Sequence, residues 1–219
     1  MFQVENQVSD RVNLGIIFSK GVSVNQQLGK LDSSLEELIR SRNQPLGIKE
    51  DEFRMAARDM LRIGRYKPTG RSKPASEYLI RSAAENNFPR INTVVDINNF
   101  ISLKYVIPIS LWDLDKVQAD SWLFRTGTEN ESFIFNSAGQ TISLRDLVTG
   151  FAVSKDQEIP VITPVKDSQL TKTGNGTRNI GVAIYYPAHW SGSPELNRIT
   201  DDFADMLRMI SEEVEILYR

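Results

Sequence analysis

The side chains of this chain that could do chemistry gather in three runs. In the first, from Ile91 to Phe100, Asn92, Asp96 and Asn99 recur three or four residues apart beside the apolar Val94, Val95, Ile97 and Ile101. On a helix that spacing gives the amide and carboxylate groups a stripe of their own. Such a stripe either lines a cleft or braces neighbouring loops, since buried polar side chains are normally satisfied locally. In the second run, Arg54, Arg58, Arg62 and Arg65 fall along one helical face, followed by Lys67, Arg71 and Lys73 in a Pro- and Gly-containing loop, with Asp59 as the local offset. Closely spaced guanidinium groups hold phosphates without reading sequence; the plainer alternative is a solvated helix face. The third run, Lys166 to Arg178, carries hydroxyls, amides, Lys172, Arg178 and a Gly174-Asn175-Gly176 turn. It could cradle a phosphate or a terminal ribose, or be an exposed hairpin turn. Its spacing does not match a phosphate-binding P-loop.

Much reaction chemistry is missing. His189 is the one histidine and there is no cysteine. A multi-histidine metal centre, a thiolate nucleophile, a disulfide framework and a thiolate zinc site are therefore excluded. A histidine base would have to be His189, in what reads as a loop leaving a strand. No carboxylate spacing resembles a dedicated magnesium site, no glycine-rich nucleotide motif follows a strand, and no cofactor is expected.

These groups need elements to position them. Val12 to Phe18 reads as a buried strand, and Leu28, Leu31, Leu35, Leu38 and Ile39 as a helix; further helices are expected from about Glu50 to Ile63 and from about Ala75 to Glu85. Short strands follow Asp115: 122–125, 133–135, 142–144, 160–163 and 180–186, separated by Gly- and Asn-marked turns. Ile199, Phe203, Leu207, Ile210, Val214 and Leu217, three or four apart, read as a closing amphipathic helix. The expected fold is α+β: a helical N-terminal half, then short mixed or antiparallel strands and a C-terminal amphipathic helix. At 219 residues, 40% of them hydrophobic, and with no evident linker or repeat, the chain reads as one compact layered domain, 1–219.

The run from Ile91-Asn92-Thr93-Val94-Val95-Asp96-Ile97-Asn98-Asn99-Phe100 to Pro108-Ile109-Ser110-Leu111-Trp112-Asp113-Leu114-Asp115-Lys116-Val117 resembles the tRNA-binding and editing module of the phenylalanyl-tRNA synthetase beta subunit. That family's pattern reads Ile-Asn-Asn-Val-Val-Asp-Val-Thr-Asn-Tyr and then Pro-Leu-His-Ala-Phe-Asp-Leu-Asp-Lys. The likeness is best over 67–117 and weaker to 186; a complete synthetase has no room here. The resemblance implies a pocket lined from the family's Thr-Asn pair and its His, positions that here carry Asn98, Asn99 and Ser110. Trp112, two residues on, is either an aromatic wall of that pocket or core. A family Glu that recognises a tyrosine hydroxyl falls at Ala183. The Ser110 and Ala183 departures count against discrimination of tyrosine from phenylalanine, which needs a buried partner for one hydroxyl.

The expectation is a free-standing relative of that module that binds tRNA or aminoacyl-tRNA and hydrolyses mischarged aminoacyl-tRNA in trans, positioning water rather than using a side-chain base. The alternative is a non-catalytic RNA- or small-ligand-binding module that has lost the editing residues. RNA contact is assigned to Arg58, Arg62, Arg65, Lys67, Arg71 and Lys73, because a net charge of -2 calls for a local patch. Neither DNA nor a membrane is expected as partner, and the setting is read as cytoplasmic, with no signal-peptide pattern at Met1-Phe2-Gln3.

Overall fold

A computed structural model describes residues 3–155 and 157–219. The N-terminal strand β1 (Gln3–Asn6) leads into β2 (Val12–Lys20), and helices α1 (Gly29–Ser41), α2 (Ile48–Asp59), α3 (Ala75–Ala84) and α4 (Thr93–Tyr105) follow. Then come β3 (Ile109–Asp113), β4 (Ser121–Thr126), the hairpin β5 (Ser132–Ile134) and β6 (Thr141–Ser143), β7 (Val148–Ser154), β8 (Gln157–Ile162) and β9 (Ile180–Pro187). Helix α5 (Leu196–Arg208) and strand β10 (Glu213–Tyr218) close the chain.

The strands form one sheet in the order β1-β4-β7-β8, a second in the order β10-β2-β9-β3, and the separate β5-β6 ribbon. Alternation along the second sheet explains the layering. One face of it, with Leu14, Ile16, Phe18, Trp112, Ala183 and Tyr185, packs against Trp122, Phe124, Val148 and Val161 of the first sheet. Its other face, with Ile17, Leu111, Val182 and Ile184, is covered by Val94, Ile97 and Ile101 of α4 and Ile199, Phe203 and Leu207 of α5. Strand β9 is buried along its whole length, which is why 180–186 reads as a continuous apolar run.

The expected helical N-terminal half followed by short strands is overturned. Among the described residues the fold is a strand-rich mixed α+β with ten strands in three sheets and five helices. The first half contributes the nine-residue β2 at the heart of one sheet. The closing helix stops at Arg208, and Val214, Ile216 and Leu217 belong to β10, antiparallel to β2. Spacings of 207, 210, 214 and 217 fit a helix, but Glu213-Val214-Glu215-Ile216 also alternates, and the open edge of β2 selects that period.

The run from Ile91 is a helix with its polar residues accounted for at its start. Asn92 is the N-cap, its side chain accepting from Val95 N at 3.0 Å. Asp96 accepts from Ile91 N at 3.1 Å and from Arg90 Nε at 2.8 Å. Both residues brace the entry to α4.

Candidate functional site

The basic run divides. Arg54 and Arg58 both point at Glu77 of α3: Arg54 Nη1 lies 3.1 Å and Arg58 Nε 2.5 Å from its carboxylate. Glu77 keeps only 9% of its side chain exposed, and its hydrogen bond pushes the Arg58 pKa up. Arg62 pairs with Asp59 at 2.7 Å on the surface. After α2 the chain turns at Gly64, whose φ of +52° and a Cβ position 2.6 Å from Asp146 both require glycine. Asp146 then accepts from Arg65 N at 2.8 Å. That turn delivers Arg65, Lys67 and Arg71, with Arg145 and Lys166, to a groove of about 740 Å3. Lys166 stacks over the Phe135 ring at 3.6 Å. Burial, and then the like charge of Arg71, hold its pKa below the ordinary value. The groove therefore favours an anion.

Arg71, Phe135 and Lys166 also border a neighbouring cavity of about 850 Å3, which Lys73, Tyr78 and Lys172 line as well, with Asp167 in its wall. Asp167 sits in the loop after β8 and reaches back to edge strand β3. Its Oδ1 is 2.7 Å from Ser110 Oγ and accepts from Thr163 N at 3.3 Å, and its Oδ2 accepts from Leu111 N at 3.3 Å. Ser110 is fully buried, 3.0 Å from Thr163 O and 3.1 Å from the Tyr185 hydroxyl. Burial pushes the Asp167 carboxyl up to about 7 against the pull of these donors, and the Tyr185 hydroxyl is likewise raised by burial and by Asp167.

The hydrogen bonds around Ser110 fit a neutral Asp167. Ser110 has one hydroxyl hydrogen, and both the Thr163 carbonyl and an ionised Asp167 would need it. If Asp167 keeps its proton and donates to Ser110, the hydroxyl is free to donate to Thr163 O, and Tyr185 donates as well. The cluster is fully satisfied with Asp167 neutral.

The five pocket candidates are not brought together. Ser110 and Ala183 are direct partners in the β3–β9 ladder, and Trp112 is on the same face of β3 opposite Gly181. Trp112 is core: fully buried, 4.8 Å from the Trp122 ring, and pressed so closely on Gly181 that a Cβ there would lie 2.2 Å from the indole. Ala183 is fully buried in the same layer. Asn98 and Asn99 stand on α4, on the other side of that sheet's strands, Asn98 Nδ2 donating to Asn99 Oδ1 at 3.4 Å. Asn98 Oδ1 is buried without a partner among the described residues. None of the five borders the cavity; Ser110 stands behind it, holding Asp167. Of the basic candidates, Arg71 and Lys73 border it.

Asp167 lies within the run 166–178 as its one acidic side chain, and no spacing in that run points to its contact with β3. The Gly174-Asn175-Gly176 turn is anchored through Thr177, whose Oγ1 accepts from Gly174 N at 2.9 Å and donates to Asp113 Oδ2 at 2.5 Å. Asn179 Nδ2 donates to Asp115 Oδ1 at 2.7 Å, so Asp113 and Asp115 are fastenings for this loop. His189 is exposed on the turn after β9. Among the described residues no group of three or more potential metal ligands occurs, and no helix is long and apolar enough to cross a membrane.

The fold is a sheet sandwich flanked by helices, with a cationic groove that shares Arg71, Phe135 and Lys166 with a neighbouring cavity. Residues 64–192 match the B3/4 domain, more than half of the chain, and the protein belongs to that family. The phenylalanine–tRNA ligase beta subunit of Fusobacterium nucleatum is 28% identical over 96 residues, 44% of this chain and 12% of that subunit. The chain thus spans a small part of the curated relative it matches, and it is a homologue of the corresponding module. An N-terminal fragment of the phenylalanyl-tRNA synthetase beta subunit from Pyrococcus horikoshii aligns over 92% of this chain and 75% of that one, with 10% identity and a TM-score of 0.40.

Proposed function

We propose that this protein binds the aminoacylated end of tRNA at the groove and cavity and removes the amino acid from mischarged tRNA in trans. The observation that carries this reading is the cationic groove of Arg65, Lys67, Arg71 and Lys166, which shares Arg71 and Lys166 with a cavity whose two carboxyl groups are Asp167 and the arginine-paired Glu77. Phosphates suit the groove, and a cavity of about 850 Å3 is of ligand size. Hydrolysis takes water to the acyl carbon and breaks the ester C–O bond, releasing a free amino acid and the ribose hydroxyl. Such an ester is activated, so holding it beside an oriented water supplies much of the acceleration. Its relationship to a phenylalanine–tRNA ligase beta subunit supports tRNA as the partner.

A second reading, binding without hydrolysis, draws on the burial of Ser110, Trp112 and Ala183 inside the sheet layers. The test is a panel of mischarged tRNAs, beginning with tyrosyl-tRNA specific for phenylalanine, offered to the wild type and to a variant with Arg65, Lys67 and Arg71 changed to Gln. Turnover by the wild type that collapses in the variant supports trans hydrolysis. Salt-dependent binding without turnover selects the second reading, and no binding by the wild type overturns both.

A further inference from the structure

The Asp167 carboxyl is held from behind and open in front. When Asp167 is ionised, Ser110, Thr163 N and Leu111 N occupy about three of the roughly four acceptor positions a carboxylate offers, leaving one on Oδ2, and the residue borders the cavity. Every contact on its inner side comes from backbone or from a fully buried serine, so its position is fixed before anything binds. The other charged groups around the cavity are Arg71, Lys73, Arg81, Lys166 and Lys172, together with Glu77, which Arg54 and Arg58 already neutralise. Such a cavity has one acidic point in a basic surround. It matches a ligand of mixed charge: a cationic group small enough to meet a single carboxylate, joined to an anionic or carbonyl end.

We propose that Asp167 recognises the primary ammonium of the ligand, while Arg71 and Lys172 hold its carbonyl or phosphate end, making this a site for aminoacyl esters and their analogues. The proposal rests on the aminoacyl-tRNA reading and names the group that reads the amino acid. Asp167 is a specificity-determining residue, and Ser110 a positioning residue that acts through it. Ser110 is no nucleophile here, because its hydroxyl is fully buried and surrounded by Thr163, Asp167 and Tyr185.

A proton is coupled to this recognition. In the empty site the cluster is satisfied with Asp167 neutral, and an arriving ammonium supplies the positive charge that lets the carboxyl ionise, so binding should release a proton. Tyr185 faces Asp167 from β9 and stays protonated, its hydroxyl raised by burial. Lys172 favours the ionised carboxylate, and Arg71, Lys73, Arg81 and Lys166 are the other cations around the cavity.

The test compares two nucleosides with no RNA present: 3′-deoxy-3′-(phenylalanylamino)adenosine and its 3-phenylpropanoyl counterpart, which lacks the amine. Calorimetry on the wild type should show the amine-bearing compound binding about ten- to a hundredfold tighter, the scale of one charge-assisted hydrogen bond. At about pH 6 its binding should release close to one proton, seen as an enthalpy that changes with the buffer. Asp167→Asn should level the two affinities. Equal affinities in the wild type, binding of neither compound, or binding without proton release would overturn the proposal, and the last needs no variant to fold. A preference that survives in a folded Asp167→Asn protein would also overturn it. Failure of the RNA reading looks different: the amine preference persists while tRNA neither binds nor competes.

Discussion

Ser110 and Asp167, 57 residues apart in sequence, meet at 2.7 Å, so that a hydroxyl of an edge strand and a carboxyl of the loop after β8 share one contact. On β9 the position opposite Ser110 is Ala183, which brings no polar atom. The loop after β8 supplies a carboxyl to the same hydroxyl from the cavity side. A polar cluster between two sheets costs free energy unless every member is satisfied, and here the proton on Asp167 completes it.

That proton gives the stability a measurable pH dependence. In the unfolded chain Asp167 titrates near its ordinary value of 3.8, and in the fold its carboxyl is pushed up to about 7. Between these values the folded protein holds a proton that the unfolded one has lost. This contribution is complete below about pH 4 and is lost as the pH rises through about 7, with a slope of up to ~1.4 kcal/mol per pH unit. Urea unfolding from about pH 5 to about pH 8 should show the decline in the wild type and not in Asp167→Asn. Parallel profiles would mean that the carboxyl titrates normally.

Glu131 shows the opposite sign in a separate window. Arg125, at 2.6 Å, and the Thr128 N–H, also at 2.6 Å, hold it down from 4.5 to about 2 despite partial burial. Its contribution is present above pH 4.5 and is lost as the pH falls through about 2. With both side chains about a fifth exposed, screening reduces the worth of the pair. Glu131→Gln should cost roughly 1–2 kcal/mol at neutral pH and flatten the acid limb of the stability curve. An unchanged acid limb would count against the pair.

Gly181 is required by its neighbour rather than by its backbone. A Cβ there would meet the Trp112 indole at 2.2 Å, and Trp112 is wedged between Phe18 and Trp122 with nowhere to move. Gly181→Ala should destabilise by about 3 kcal/mol. Combining it with Trp112→Leu should cost less than the sum of the two single changes, because they share one contact. Strict additivity in chemical denaturation would show that the contact does not limit packing.

What the sequence disclosed follows from what is local. Strand β9, buried on both faces, and the apolar face of α4 announce themselves by composition and period, whereas Asn92, read as part of a polar stripe, is the N-cap of that helix. Strand β7 escaped because Gly150 interrupts Val148 to Val153. That glycine is needed where a Cβ would fall 2.7 Å from Ile162 and 2.9 Å from Phe124, a constraint set by two other strands. Strand β10 escaped because its apolar spacing fits two periods and only its pairing with β2 decides between them. Of the candidate site, Arg65, Lys67, Arg71 and Lys73 are legible in the sequence as a basic run. Asp167 acquires its meaning from β3, and no local pattern carries that pairing.

The same run offers a test that separates fold from function. Glu77 is nearly buried and faces two guanidinium groups. Removing its charge leaves Arg54 and Arg58 close together and partly desolvated. Glu77→Gln should therefore cost about 2–4 kcal/mol, below the full penalty of a buried broken pair because both arginines retain about a fifth of their exposure. Arg58→Gln should be destabilising too, and should leave the salt dependence of RNA binding unchanged, since that charge is already neutralised. Arg62→Gln breaks a pair exposed by half and should shift stability by less than about 0.5 kcal/mol. Changing Arg65, Lys67 and Arg71 together should leave thermal stability near the wild type, because none has a carboxylate within 4.0 Å among the described residues. It should weaken RNA binding and flatten its salt dependence, each lost phosphate contact reducing the slope by about 0.7–0.9. If Arg58→Gln flattens the slope as much as the triple change does, the arginine is a phosphate ligand and the Glu77 pairing opens when RNA binds.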